Sequence, residues 1–316
     1  MYFVTLSAIC VTAYLCCIGV RTVPSESCWR KAEEEAQEVI DRIFKASPQE
    51  DWRITEPPHS SLMVATARKD RLCAIGVHKI PPHLSKKDFE NTFEALMDDV
   101  LALDLVRKKV LKMEMMFQND RLDEHVKLFE FPPREPVVVI AIETENADDL
   151  VEVLADAEVQ KLFQKTEDFG LQSATFAFSA DVAPKINRNV TSTQKPVRIV
   201  GIYKVPTHLS RDEYGQKFHA FVEKYIALPA IQKNLVRYEV WQQNDAVGDR
   251  MMQNLAHPVS EPTFLVRAES ETLDHVIEYL NDPQARKLVQ DAKQDFGFNT
   301  NACLFTADVV TKIDKS

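Results

Sequence analysis

Residues 75–93, IGVHKIPPHLSKKDFENTF, recur at residues 200–218 as VGIYKVPTHLSRDEYGQKF. The match continues without a gap at a constant offset of 125, and 15 of the 46 positions from 75 to 120 are identical. Further along, EPVVVIAIE at 135–143 matches EPTFLVRAE at 261–269. Each unit is about 112 residues long, which is the length of a domain and too long for a solenoid repeat. The sequence therefore predicts an internal duplication.

Both units show the same order of strands and helices. Ser85 and Ser210 each precede an apolar helical pattern and are typical helix N-caps. Gly170 and Gly297 end a later helix in each unit, where a left-handed residue is expected. The helices that these glycines end are predicted over 147–167 and 271–294. The predicted strands are 72–80, 110–117, 137–142 and 175–182, and then 199–205, 235–242, 263–268 and 302–310.

The order β-α-β-β-α-β is the ferredoxin-like arrangement, whose sheet carries helices on one face only. Residues 137–142 are apolar on both sides of the predicted strand, so the second face of the sheet must be buried as well. Two copies in one chain can press these faces together about a pseudo-twofold axis. The fold class that we predict is α+β, with two ferredoxin-like repeats forming an intramolecular pseudo-dimeric α+β barrel. Such a chain is expected to be monomeric.

The N-terminal part of the chain is set apart from the repeats. Residues 2–20 carry no charge and suit a signal peptide or signal anchor over 1–24, with a buried apolar arm or a misassigned start codon as alternatives. An amphipathic helix and a linker are predicted over 25–70. The first repeat then spans 71–187, a linker 188–195 and the second repeat 196–316. The N-terminal segment favours the membrane or the secretory pathway, and a cytoplasmic location is the alternative.

Composition excludes several classes of function. The net charge of −10 argues against a nucleic-acid surface, which needs clustered Lys and Arg. The chain has only 7 glycines and no G-x-G, so phosphate-binding loops and the hydrolase nucleophile elbow are not expected. The absence of H-x-x-x-H and C-x-x-C spacings argues against a metal site.

The chain resembles the dimeric α+β barrel superfamily and, within it, the EthD-type and stress-responsive barrel proteins, here as a tandem over 72–313. The resemblance rests on G-[VI]-x-K-[IV]-P at the first strand, on H-L-S-[KR] with an aromatic residue four positions after the Ser, and on the element order. It implies a cofactor-independent lyase or oxidoreductase. The family's His before a Pro is missing, although Pro229 is present. No residue matches the proximal His of haem-using relatives, so no cofactor is expected.

Three side chains are candidates for catalysis: Glu239, His208 and Tyr203. His208 could act as a base near neutral pH, or simply lie in the loop before the helix cap. Glu239 lies beside Trp241 and could have a raised pKa, or it could pair with Arg237. Tyr203 follows the paired glycine by two residues and could orient a ligand.

Further residues are candidates for contact with a substrate because they lie on the first or second predicted strand of a unit, or at the end of that second strand. They are Tyr238, Trp241, Gln243, His78, Met113 and Glu114. Gln243 belongs to a Gln-Asn-Asp triplet that occurs in both units and that also suits a turn. The second unit keeps Pro229, Tyr203, Tyr238 and Trp241, and is therefore favoured as the functional one.

Three functions remain open. The first is binding of a small apolar or aromatic molecule in pockets of the barrel. The second is a cofactor-independent lyase or oxidoreductase that acts on an aromatic or polyketide-like substrate, as the resemblance implies. The third is a structural scaffold whose pockets are filled by its own side chains. Besides such a ligand, no nucleic acid is expected as a partner, and a membrane only through the N-terminal segment.

Overall fold

A computed structural model describes residues 68–132, 135–166, 175–189, 195–248, 250 and 260–315. Eight strands carry the fold of this part of the chain. They are β1 (Arg68–Lys79), β2 (Val110–Asn119), β3 (Val137–Thr144), β4 (Thr175–Asn187), β5 (Val197–Lys204), β6 (Arg237–Asn244), β7 (Thr263–Ser270) and β8 (Ala302–Asp314).

Helices connect these strands in both halves of the described chain. The α-helices are α1 (Lys86–Ala102), α2 (Asp104–Lys109), α3 (Asp123–Val126), α4 (Ala147–Ala155), α5 (Ala157–Gln164), α6 (Arg211–Ile226), α7 (Pro229–Asn234), α8 (Leu273–Leu280) and α9 (Pro283–Phe296), and a 3₁₀ turn covers Lys127–Phe129.

The eight strands form one closed antiparallel barrel in the order β1-β3-β2-β8-β5-β7-β6-β4. β1 to β4 pair with one another in the order β4-β1-β3-β2, and β5 to β8 follow the corresponding order β8-β5-β7-β6. Backbone hydrogen bonding between β2 and β8, and between β4 and β6, joins the two sets. The two sets of four strands are therefore hydrogen-bonded to each other at both edges, as well as facing each other across the barrel. This closure removes the edge strands that a sheet otherwise exposes. β4 and β8 extend beyond their predicted ends because they pair with the other half.

The barrel interior is filled by apolar side chains at mid-height. Alternate residues of each strand point inward, such as Ile75 and Val77 on β1 and Phe305 on β8, and they form one buried cluster with Trp241. The outward-facing residues pack against helices, with α1 covering the first half and α6 the second. The strands are thus buried on both faces, as the apolar pattern of residues 137–142 predicts.

Two predicted helices are interrupted in the structure. The helix expected over 147–167 breaks at Asp156, whose side chain accepts hydrogen bonds from the backbone N–H groups of Glu158 and Val159 and caps α5. The helix expected over 271–294 breaks in the same way at Asp282, which caps α9 ahead of Pro283. In both cases a new N-cap outcompetes continuation of the helix. Gly297 ends α9 with φ 68°, as predicted.

Several predictions fall on residues that the structure does not describe. The signal segment over 1–24, the helix and linker up to residue 67 and the cap at Gly170 all lie outside the described ranges. Among the described residues, no helix combines the length and the apolar character that a membrane crossing requires.

Candidate functional site

Side chains alternate between the two faces of each strand, so the candidate functional residues of the barrel line separate cavities. Outward-facing residues line a cavity between sheet and helices in each half, here called the first-half cavity and the second-half cavity. Inward-facing residues line a third space at the end of the barrel where β1, β2, β5 and β6 begin, here called the polar-end cavity. Residues that are neighbours in sequence on one strand therefore belong to different cavities.

The first-half cavity lies between the outer face of the first sheet and its helices, and has a volume of about 70 Å³. Its walls are mostly apolar, with Met97 of α1 and Met113 of β2 among them. Of the described residues that line it, His78 and Thr175 carry the polar side chains. An apolar cavity with a few convergent polar groups is the usual form of a small-molecule site.

His78 is held in a defined orientation within this cavity. Its Nδ1 shares a hydrogen bond of 2.9 Å with the hydroxyl of Thr175, which lies opposite it on β4. The ring of Phe93 packs against the imidazole at a centroid distance of 4.7 Å. Gly76 leaves room for the imidazole, because a Cβ at this position would lie 2.9 Å from His78 Nε2. Gly76 thus has a steric role, which its alignment with Gly201 of the second unit does not reveal.

In the second-half cavity, a tyrosine takes the place of this histidine. Tyr203 lies opposite Ala302 on β8, just as His78 lies opposite Thr175 on β4. Its ring packs against Phe218 and Phe298 at centroid distances of 5.3 and 4.8 Å. The remaining volume is about 60 Å³. The second-half cavity therefore presents phenol rings where the first presents an imidazole and a hydroxyl.

The tyrosines of the second-half cavity are poorly suited to act as bases. Tyr203 and Tyr238 both line this cavity, and burial raises the pKa of each phenol well above its ordinary value. At neutral pH both side chains are protonated. They can donate a hydrogen bond to a ligand, but cannot accept a proton from it.

The polar-end cavity is the largest of the three, at about 450 Å³, and it is lined mainly by charged residues. Arg267 is buried there and donates hydrogen bonds to Glu114 at 2.6 Å and to Glu269 at 2.7 Å. Burial favours the neutral form of both carboxyls, but Arg267 and the neighbouring cations outweigh it and lower the pKa of Glu114 and of Glu269. The three groups are therefore ionised together at neutral pH.

The predicted catalytic residues do not come together in one cavity. Glu239 lines the polar-end cavity and accepts a hydrogen bond of 3.2 Å from Trp241 Nε1. Tyr203 lies on the outer face of the barrel, in the second-half cavity. His208 is exposed in the loop between β5 and α6. No two of these three residues line the same one of the three cavities described above.

The predicted substrate-binding residues are divided among the cavities in the same way, and Tyr238 and Trp241 line different ones. The physical reason is the two-residue period of a strand, which sends their side chains to opposite sides of β6. His78 and Met113 line the first-half cavity, Tyr238 lines the second-half cavity, and Glu114 and Trp241 line the polar-end cavity. Gln243 accepts a hydrogen bond of 3.0 Å from the backbone N–H of Thr263.

Two residues of these sites were missed by reasoning from the sequence. Thr175 gains its importance only from the pairing of β4 with β1, which no local pattern reveals. Arg267 does leave a signal, because it is a charge within the apolar stretch TFLVRAES, where the aligned residue of the first unit is Ala141. In the ranges that the structure describes, no three His, Cys, Asp or Glu side chains are grouped closely enough to hold a metal ion.

Comparison with known proteins adds information at the level of the fold. No family model matches the chain, and no curated protein matches it. Among solved structures, an anthrone oxidase-like protein matches with a TM-score of 0.51 and 11% identity, over 79% of this chain and 97% of that chain. A protein named "Putative monooxygenase" from Fusobacterium nucleatum matches with a TM-score of 0.47 and 7% identity, over 80% of this chain and 97% of that chain.

The similarity to the anthrone oxidase-like protein shows a shared fold. Identities this low bear on the fold alone. This similarity does not distinguish the EthD-type proteins from other proteins of the same fold.

Proposed function

We propose that the chain is a tandem of two ferredoxin-like repeats in which the first-half cavity binds a small apolar or aromatic molecule. The repeated sequence and the matching strand order of the two halves support the duplication. The observation that carries the function is the hydrogen-bonded pair of His78 and Thr175 in a cavity with otherwise apolar walls. The apolar walls would bind the body of the ligand, and the imidazole would contact one polar atom of it.

The size of the cavity limits the ligand. A cavity of roughly 150 Å³ is enough for benzene, whereas this one measures about 70 Å³. Met97 and Met113 are both part of the wall, and their unbranched side chains can change rotamer at low cost. A single aromatic ring is therefore the largest ligand that we expect, and it should enter with movement of these methionines.

The first half suits this role better than the second, contrary to the preference drawn from Pro229 and the aromatic residues. Tyr203 fills the space that corresponds to the imidazole, and Ala302 replaces the hydroxyl of Thr175. Glu239, His208 and Tyr203, the residues expected for a lyase or an oxidoreductase, occupy three separate environments. No observation therefore favours the enzymatic alternative over binding.

Reciprocal substitutions between the halves test the proposal. Ala177 lines the first-half cavity, and Leu304 lines the second-half cavity at the corresponding position of β8. We expect Ala177→Leu to weaken the binding of phenol at least about tenfold, because the larger side chain occupies the cavity. The matched control is Ala268→Ile, which fills the second-half cavity with the residue found at Ile142. Binding is measured by native mass spectrometry and by the thermal shift that phenol causes.

A second variant separates recognition by the imidazole from simple filling of the cavity. His78→Phe keeps a ring of similar size but removes the polar group, so we expect it to weaken phenol more than benzene. Loss of binding in Ala268→Ile but not in Ala177→Leu would move the site to the second half. No binding of phenol or of benzene to the unmodified chain would leave the scaffold as the remaining function.

A further inference from the structure

We infer that the polar-end cavity is a second binding site, which takes a small anion with carboxylate or phosphate oxygens between the guanidinium groups of Arg198 and Arg237. The described residues that line this cavity do not overlap with those of the first-half cavity. The inference is therefore independent of the function proposed above. Its volume of about 450 Å³ is within the usual range for ligand pockets.

The two arginines lie side by side on the same inner wall. Arg198 on β5 and Arg237 on β6 are both paired with Glu269 on β7, which lies between them. Arg198 Nε is 3.2 Å and Arg237 Nη1 is 3.7 Å from the same oxygen, Glu269 Oε1. These two nitrogen atoms are consequently within about 7 Å of each other. A small anion can reach both guanidinium groups at once.

Arg267 uses more of its hydrogen-bond donors than the other two arginines of this wall, Arg198 and Arg237. Arg267 donates from Nε and Nη2 to Glu269 and from Nη1 to Glu114. Within the described chain, the Arg198 side chain donates only from Nε. The Arg237 guanidinium is 3.7 Å from Glu269 and 3.9 Å from Glu239, and it donates no hydrogen bond to any residue that the structure describes. Both side chains line the cavity and are partly exposed, so a small molecule in the cavity can reach their remaining N–H groups.

The described residues that line the cavity carry charges of both signs. Arg68, Lys112, Arg198, Arg237 and Arg267 are cationic, and Glu114, Glu143, Glu239 and Asp314 are carboxylates. Arg267 is already bound to Glu114 and Glu269, so an anion would be bound by the guanidinium groups of Arg198 and Arg237 and not by an excess of positive charge. Guanidinium groups bind carboxylates and phosphates through two parallel hydrogen bonds, which Arg198 and Arg237 still have available.

The test is calorimetric titration of the full chain with inorganic phosphate and, separately, with succinate, at constant ionic strength set with chloride. We expect saturable binding of at least one anion, with a Kd of about 1 mM or lower. Arg237→Gln and Arg198→Gln should each weaken that binding about tenfold. Comparison of the two titrations identifies the preferred oxygen donor group. The matched control is Arg121→Gln, which removes an exposed guanidinium paired with Asp308.

The outcomes are distinct from those of the phenol experiment. No saturable heat with either anion would overturn the inference, and so would equal affinities in the unmodified chain and in Arg237→Gln. A loss as large in Arg121→Gln would show general charge screening and would overturn it too. Arg198→Gln removes a hydrogen bond to Glu269 and could impair folding, so Arg198→Lys provides a second variant that keeps the charge and loses the planar fork. We expect Arg198→Lys to bind the anion with an intermediate affinity.

Discussion

Gly201 leaves the space that the ring of Tyr203 occupies. A Cβ at Gly201 would lie 2.6 Å from Tyr203 Cε2, and the ring cannot retreat because Phe218 and Phe298 pack against it. We expect Gly201→Ala to lower the free energy of unfolding by about 1–3 kcal/mol, the usual cost of overpacking a core. Urea unfolding followed by circular dichroism measures the change.

Gly215 provides the matched control for this prediction. It lies within α6, and a Cβ there would be 3.4 Å from Phe264 Cζ, which is close to an ordinary contact. Alanine also has the higher helix propensity, by up to about 1 kcal/mol, so Gly215→Ala should be neutral or stabilising. Equal destabilisation by the two substitutions would contradict the steric role assigned to Gly201.

At the scale of single residues, the sequence indicated which positions are of interest but not which residues they contact. Repetition was enough to single out Gly76, Gly201, His78 and Tyr203. It did not reveal that the imidazole of His78 would contact Thr175, because that contact depends on the pairing of β1 with β4. Strand parity separates Tyr238 from Trp241, but assigning each face to the interior or to the helices requires the closed barrel.

Among the secondary-structure elements, the two equivalent helix starts differ by one methylene group. Ser210 and Glu213 form a complete capping box, in which Glu213 Oε2 accepts a hydrogen bond of 3.1 Å from the backbone N–H of Ser210. Asp88 has a shorter side chain; its carboxylate contacts the Ser85 hydroxyl at 2.6 Å, and α1 has only the bond from the Asp88 N–H to Ser85. The sequence predicted both caps, and the structure shows that only the second one is reciprocal.

Exchanging the two acidic residues tests this difference. We expect Asp88→Glu to complete the box at α1 and to raise the free energy of unfolding by roughly 0.5 kcal/mol. Glu213→Asp should lower it by a similar amount, because the shorter side chain loses the backbone N–H of Ser210. Chemical denaturation of the two variants provides the measurement. A change of the same sign in both would argue against the capping explanation.

The elements themselves were largely predictable, because alternation and helical spacing depend on local sequence. The eight strands lie where the apolar patterns place them. The breaks at Asp156 and Asp282 were not predicted, since a cap in mid-pattern competes with helix continuation by a small margin of free energy. An Asp followed by Ala or Pro at the first helical position was the available signal.

For the whole molecule, Arg267 links the two halves across the interior of the barrel. It binds Glu114 of the first half and Glu269 of its own half, and both carboxyls have a pKa below the ordinary value of 4.5. Groups with a lowered pKa contribute stability that is present above pH 4.5 and is lost as the pH falls through the lower values of the folded state. This salt bridge therefore stabilises the folded protein at neutral pH but not at acidic pH.

We expect Arg267→Met to lower the free energy of unfolding by about 3–5 kcal/mol at pH 7, because two buried carboxylates lose their partner. The difference from the unmodified protein should shrink below pH 4.5, where the carboxyls become protonated. Urea unfolding across this pH range measures both effects. Arg121→Met, at an exposed pair, should cost at most about 1 kcal/mol at either pH. A cost for Arg267→Met that does not change with pH would contradict this account.

The barrel could be predicted from the sequence because two like sheets with bare apolar faces have few other ways to bury them. Its closure through β2–β8 and β4–β6 pairing was harder to predict, because it depends on contacts between residues 50 or more positions apart. The location of the cavities follows from that closure. The candidate sites were therefore predicted less well than the fold.

Arg267 illustrates a difference between a barrel made of one chain and a barrel made of two identical chains. When two identical polypeptides build such a barrel, any mutation appears twice, and an arginine crossing the middle would meet its own copy. Here the aligned position of the first half holds Ala141, so the arginine at this position is present in the second half alone. In a single chain the two halves need not be identical, so a residue of one half can differ while the aligned residue of the other half stays as it is.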